Sequence, residues 1–205
     1  KICFVNVNPE EVSREFVKIL ERVILPIKDE QTEIGFAFPK IGCQRATDFA
    51  SSYFLALNKV FVIQAIVEAE RQGYDAVVVG CFLDPGVHEA RELVDIPVIG
   101  INETALGVAA QMGEKCAIIG LHEDKINLQT KYAIRNRGSL FHEAAESIVP
   151  IDMPSIEWMK NGINNLDLVA ESIQRAAEKA SQNGADVIVI GCSGLGPLAS
   201  LAGLR

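Results

Sequence analysis

The feature that most constrains this chain is an internal echo. GYDAVVVGC at 73–81 and GADVIVIGC at 184–192 align without a gap, 111 residues apart (192 − 81). Self-similarity at a fixed separation marks a duplicated structural unit. A weaker echo sets KICFVNVN at 1–8 beside KCAIIGLH at 115–122, offset by 114 residues (115 − 1). Each copy thus holds a first strand and, later and in the same order, a strand that ends in Gly-Cys. Two such lobes related by an approximate two-fold axis would set equivalent strand tips, and with them Cys81 and Cys192, face to face across a cleft, where open parallel sheets bind ligands.

The rest of the pattern agrees with that architecture. Short Val/Ile-rich runs alternate with longer segments of helical period, as parallel strands covered by helices do. The predicted strands are Ile2–Val7, Glu33–Ala37, Ala76–Gly80, Pro97–Ile101, Cys116–Leu121, Ser147–Ile151 and Val187–Gly191. The predicted helices are Glu10–Val23, Ala56–Gln72, Pro85–Leu93, Glu103–Met112, Lys125–Arg135 and Leu166–Asn183, two of them closed by Gly73 and Gly184. Phe38–Phe54 reads as a loop. The expected fold class is α/β, with two pseudo-symmetric lobes at 1–98 and 99–205, each a parallel sheet flanked by helices, and an active site in the cleft between them.

Composition narrows the function. Nineteen Lys and Arg against 27 Asp and Glu give a net charge of −8, which argues against nucleic acid as a partner. No uninterrupted apolar run reaches the roughly 18–20 residues of a bilayer span, so no membrane is expected. The five cysteines, at 3, 43, 81, 116 and 192, show no CxxC spacing. They fit neither a disulfide framework nor a zinc site, and free thiols in a reducing cytoplasm are the expectation. There is no P-loop and no GxGxxG, so neither nucleotide cofactor nor metal is expected.

A lone cysteine is more often inert packing than a catalyst. Cys3 and Cys116 lie inside predicted strands and read as core, while Cys43 in the loop is undecided. Cys81 and Cys192 differ in position, since each follows a Gly at the carboxyl end of a strand. Turn-forming residues follow both, Phe82-Leu83-Asp84-Pro85-Gly86 and Ser193-Gly194-Leu195-Gly196-Pro197, leading toward helix N-termini. Backbone N–H groups there are expected to lower a thiol from its free value of about 8.5 and to hold a developing enolate oxygen. One thiolate can then remove a proton from an acidic C–H while the opposite thiol returns one to the other face, which inverts a stereocentre without a cofactor.

The lesser candidates have plainer readings. His88 is expected to be exposed or structural, His122 a solvated loop residue near enough to tune a thiol, and His142 surface. Asp84, just before Pro85, reads as a helix N-cap, and Trp158 as packing or an oligomer contact.

GCFLDPGVHEARELVDIPVIGINETA at 80–105 and GADVIVIGCSGLGPLA at 184–199 resemble the hydantoin racemase branch of the aspartate/glutamate racemase superfamily. The motifs that carry the resemblance are C-F-x-D-P-G at Cys81–Gly86, a P-V-x-G-I-x-E-[ST]-A-like run at Pro97–Ala105, and G-C-[AS]-G at Gly191–Gly194. The resemblance implies cofactor-free racemisation with Cys81 and Cys192 as acid and base, and Asn8, Phe82, Leu83, Ser193 and Gly194 around the substrate. It also implies a continuation past residue 205 that completes the first lobe, and a homo-oligomer is expected.

Two departures stand out. Val5-Asn6-Val7-Asn8-Pro9 keeps both Asn of the family's I-N-P-N-[TS]-like segment and loses its Pro and hydroxyl positions, and Gly120-Leu121-His122 replaces hydroxyl residues. Amino-acid racemases of the superfamily follow their first Cys with Asn-Thr and their second with Thr plus His or Glu. Phe82 and Ser193-Gly194 stand here instead, which favours a neutral cyclic amide, a 5-substituted hydantoin or allantoin. The alternatives are an Asp/Glu or other amino-acid racemase, a non-catalytic two-lobed binding protein and a thiol redox protein.

Overall fold

The computed structural model describes residues 1–136 and 142–204. It divides into two units, Lys1–Ile101 and Asn102–Arg205. The division falls just beyond the expected boundary, because the strand at Val98–Gly100 hydrogen-bonds into the first sheet.

In the first unit, β1 (Ile2–Val5), β2 (Ile34–Ala37), β3 (Ala76–Val79) and β4 (Val98–Gly100) form a sheet in the order β2-β1-β3-β4, with every pairing parallel. A parallel sheet needs cover on both faces, and β1 shows how it is supplied. Its Cys3 and Val5 pack into a core with Val62, Ile66 and Ala69 of α2 (Ser52–Arg71). Phe4, pointing the other way as strand alternation requires, meets Phe16 of α1 (Glu10–Ile24) at 6.3 Å and Phe36 of β2 at 6.1 Å.

By length and composition α2 could cross a membrane, with a mean hydropathy of 1.3 over an 18-residue window. No uninterrupted apolar run shows this in the sequence, because Asn58, Lys59 and Gln64 break the run while leaving the average high. Asn58, Val62, Ala65, Ile66 and Ala69 form its buried stripe, at the spacing of a core-facing helix.

The second unit contains α4 (Ile101–Met112), which starts at the boundary, and β5 (Cys116–Gly120), β6 (Ile148–Pro150) and β7 (Val187–Ile190), parallel and in the order β6-β5-β7. This repeats the β2-β1-β3 order of the first unit. The likeness extends to detail: the Asp75 N–H donates to the Lys1 carbonyl at 2.8 Å, and the Asp186 N–H to that of Lys115 at 3.0 Å. α5 (Asp124–Arg135) and α8 (Leu166–Gln182) cover this sheet, α8 through Val169, Ile173, Ala176 and Ala180. Gly73 and Gly184, with φ of 78° and 91°, lie just past α2 and α8 in the left-handed conformation that closes helices.

All seven predicted strands and all six predicted helices are present, most with shifted ends. The helix expected at Pro85–Leu93 shrinks to α3 (Val87–Arg91), because Asp84 (φ 46°) and Gly86 (φ 80°) are left-handed and hold the preceding residues in a turn. Asp84 is therefore not an N-cap. It is buried, and its carboxylate fills the space a side chain at Gly100 would need. The expected loop Phe38–Phe54 contains a 3-10 turn at Ala46–Ala50 and ends where the Ser51 hydroxyl accepts from the Phe54 N–H at 3.4 Å to start α2. Three short helices had no firm sequence range: α6 (His142–Glu146), α7 (Ser155–Asn161) and α9 (Leu195–Leu201).

Candidate active site

In the first unit the candidate residues collect where β1 and β3 end. β3 finishes at Val79, the Gly80 N–H donates to the Val5 carbonyl at 2.9 Å, and Cys81 follows, partly buried. Gly80 is required here, since a side chain on it would run into the ring of Phe4. The Asp84 N–H closes the turn on the Cys81 carbonyl at 2.9 Å. Phe82 is buried and Leu83 half-buried within this turn.

The β1 tail carries the two asparagines. The Asn8 side-chain amide donates to the Cys43 carbonyl at 2.6 Å, so it anchors the loop after β2. Asn58 of α2 completes the tie, donating to the Val7 carbonyl and accepting from the Cys43 N–H, each at 3.0 Å. Asn6 is 3% exposed, and its Nδ2 has no protein partner. A buried unpaired amide donor costs about 1–3 kcal/mol, so this N–H, at the carboxyl end of β1 beside the strand that leads to Cys81, is a candidate ligand donor. The sequence pointed to Asn8 instead.

In the second unit β7 ends at Ile190, Cys192 follows Gly191, and α9 begins at Leu195. Burial pushes the Cys192 thiol above its ordinary value, the N–H groups of Leu195 and Gly194 directed at the sulfur pull it back, and the Glu123 carboxylate adds to the rise. The backbone donors lower this thiol as expected, but desolvation outweighs them and the net shift is upward. Ser193 and Gly194 are partly exposed beside it.

Two residues of this half-site were not assigned to the site from the sequence. Glu123 follows β5 in a loop pinned by Asn127, whose side chain accepts from the Leu121 N–H at 2.9 Å and donates to the Leu121 carbonyl at 2.6 Å. The other is Trp158 of α7. A Cβ on Gly194 would stand 2.8 and 2.9 Å from two ring carbons of Trp158 and 3.7 Å from the Cys192 sulfur, so the indole lies against the backbone that cradles the thiol. Of the two roles expected of Trp158, packing or an oligomer contact, the packing lies at the site.

Cys3 and Cys43 are buried, and Cys116 is partly buried. Burial pushes all three thiols up to about 11. Cys116 lines a cavity of about 1000 Å³ with Lys115, Arg135, Glu143 and Asn183. That cavity lies at the amino ends of β5 and β6, the opposite end of the sheet from Cys192. His88 and His122 are exposed, and the His142 side chain lies outside the described residues. Among the described residues no group of three or more His, Cys, Asp or Glu could hold a metal ion.

Residues 7–203 match the family described as Asp/Glu/Hydantoin racemase. The hydantoin racemase of Pseudomonas sp. (strain NS671) is 25% identical over 199 residues, 97% of this chain and 75% of its own length. That of Rhizobium meliloti is 26% identical over 192 residues, 94% of this chain and 76% of its own. Among solved structures, an allantoin racemase from Klebsiella pneumoniae has a TM-score of 0.77 at 23% identity, covering 98% of this chain and 77% of its own. One from Pseudomonas fluorescens has a TM-score of 0.76 at 20% identity, covering 100% and 83%.

Proposed function

Because the chain belongs to the Asp/Glu/Hydantoin racemase family, we propose that it inverts the stereocentre of a 5-substituted hydantoin or of allantoin by proton transfer through Cys81 and Cys192, without a cofactor. The observation that carries this reading is the topological equivalence of the two thiols. Each follows the Gly at the end of the strand beside its unit's first strand, at the carboxyl edge of a parallel sheet, where such sheets bind ligands. The names of the curated relatives support the choice of ring.

The chemistry follows from the ring. The C5–H is acidic because removing it yields an enolate on the neighbouring carbonyl oxygen, and N–H donors aimed at such an oxygen contribute roughly 3–4 kcal/mol each. A racemase needs one thiolate to accept the proton and one thiol to return a proton to the opposite face. Burial pushes the Cys192 thiol up, which favours its protonated form. The apolar side chains of Phe82 and Leu83 suit an uncharged ring better than an ionic amino acid, and the Asn6 amide offers a donor to a ring carbonyl. A homo-oligomer belongs to this reading, supported by the exposed apolar residues Tyr53, Leu57 and Val60 along one side of α2, and sedimentation velocity measures it.

One experiment decides. A single enantiomer of each of several hydantoins, of allantoin and, separately, of free aspartate and glutamate is incubated with the enzyme in deuterated water. Loss of optical rotation with deuterium entering at the stereocentre is expected. No exchange with any ring, or exchange only with free aspartate or glutamate, would sink the proposal.

A further inference from the structure

We propose that Glu123 is a positioning residue for Cys192, acting through the helix whose Trp158 ring lies against the cradle of the thiol. This rests on the reading of Cys192 as an acid/base group. The geometry is a continuous series of contacts. The Glu123 carboxylate accepts from the Ser155 N–H at 2.8 Å and from the Ser155 hydroxyl at 2.6 Å, and so holds the first residue of α7. Three residues on, Trp158 is 7% exposed, with its ring edge against Gly194. Farther along, the space beside Gly162 is closed by Leu198 of α9, 2.9 Å from where a Cβ would stand. α7 and the residue after it therefore meet α9 and the residue before it at two places, and Glu123 holds the residue where α7 begins.

The arrangement has a chemical consequence. The atoms of Trp158 nearest Gly194 are Cη2 and Cζ3, the apolar edge of the indole, which packs on the backbone beside the sulfur and brings no donor to it. Of the elements around the thiol, α7 contributes this uncharged ring and α9 the N–H groups of Gly194 and Leu195. The loop after β5 contributes Glu123, whose negative charge opposes a thiolate. Glu123 thus both fixes the start of α7 and opposes ionisation of Cys192.

The test reads the thiol directly. In a Cys81→Ser background, iodoacetamide alkylation of Cys192 is followed by peptide mass spectrometry from pH 6 to 10. Glu123→Gln should move the profile to lower pH and raise the rate at pH 7.5 roughly three- to tenfold, since the thiolate fraction changes about tenfold when the pKa moves by one. Glu123→Asp, which keeps the charge but shortens the reach to Ser155, should shift it by less than Glu123→Gln. Ser155→Ala, which removes one clamp bond and no charge, should shift it in the same direction by less, and serves if Glu123→Gln does not fold. Profiles of Glu123→Gln and Ser155→Ala that superimpose on the parent overturn the proposal, even if both variants melt earlier. Alkylation requires no turnover, so this outcome is separate from the deuterium experiment that tests the racemase reading.

Discussion

Gly80 shows how much one missing side chain can decide. The Phe4 ring, packed between Phe16 and Phe36, occupies the space over Gly80, and the backbone can then carry Cys81 directly off the strand. Gly80→Ala should destabilise the protein by about 1–3 kcal/mol, as overpacking of a filled core does, and slow racemisation by displacing Cys81; urea denaturation and polarimetry report the two effects. An unchanged midpoint would mean that the Phe4 ring moves aside freely. Legibility at this scale was uneven. Cys81 and Cys192 could be read because they recur at the tips of matching strands. Glu123 could not, because its partner Ser155 is 32 residues away and nothing local marks the pair.

Among elements, the loop after β2 hangs on one side chain of α2. Asn58 is 1% exposed and satisfies both the Val7 carbonyl and the Cys43 N–H. Asn58→Ala leaves those groups buried without partners, at about 1–3 kcal/mol each, and should also raise proteolysis within Phe38–Ser51, measured by limited digestion. A second junction joins the end of β6 to α8, where the Asp152 carboxylate accepts from Arg175 at 2.8 and 3.1 Å and from the Ser172 hydroxyl. The Arg175 guanidinium, and then Ser172, bring Asp152 down from 3.8 to about 2. A depressed carboxylate contributes stability that is fully present above its unfolded value and is lost as pH falls through its folded one. The contribution should therefore fade between about pH 4 and pH 2. Asp152→Asn should flatten the stability curve in that window, and equal slopes for the two proteins in denaturation at stepped pH would refute the assignment. Element positions were largely legible because strand and helix periods are properties of the local chain. α6 and α7, of five and seven residues, are too short to show a period and are held by contacts instead.

For the whole molecule, the repeated β2-β1-β3 and β6-β5-β7 order makes Cys81 and Cys192 equivalent positions, and the proposed chemistry gives neither a substitute. Cys81→Ser and Cys192→Ser should each lower racemisation by roughly 10²–10⁴-fold, the usual weight of a positioned acid or base, with substrate binding by calorimetry nearly unchanged. Full turnover in both variants would reject the two-thiol reading, and a reversible Cys81–Cys192 disulfide would favour redox chemistry. The sequence by itself determined the α/β class, the duplicated plan, the strand tips and the two thiols, because the repeat and the hydrophobic period are written along the chain. Only the tertiary structure decided what surrounds Cys192. The partial burial of Cys192, the Glu123 clamp on α7 and the Trp158 ring against Gly194 depend on segments far apart in sequence, and close packing alone brings them together.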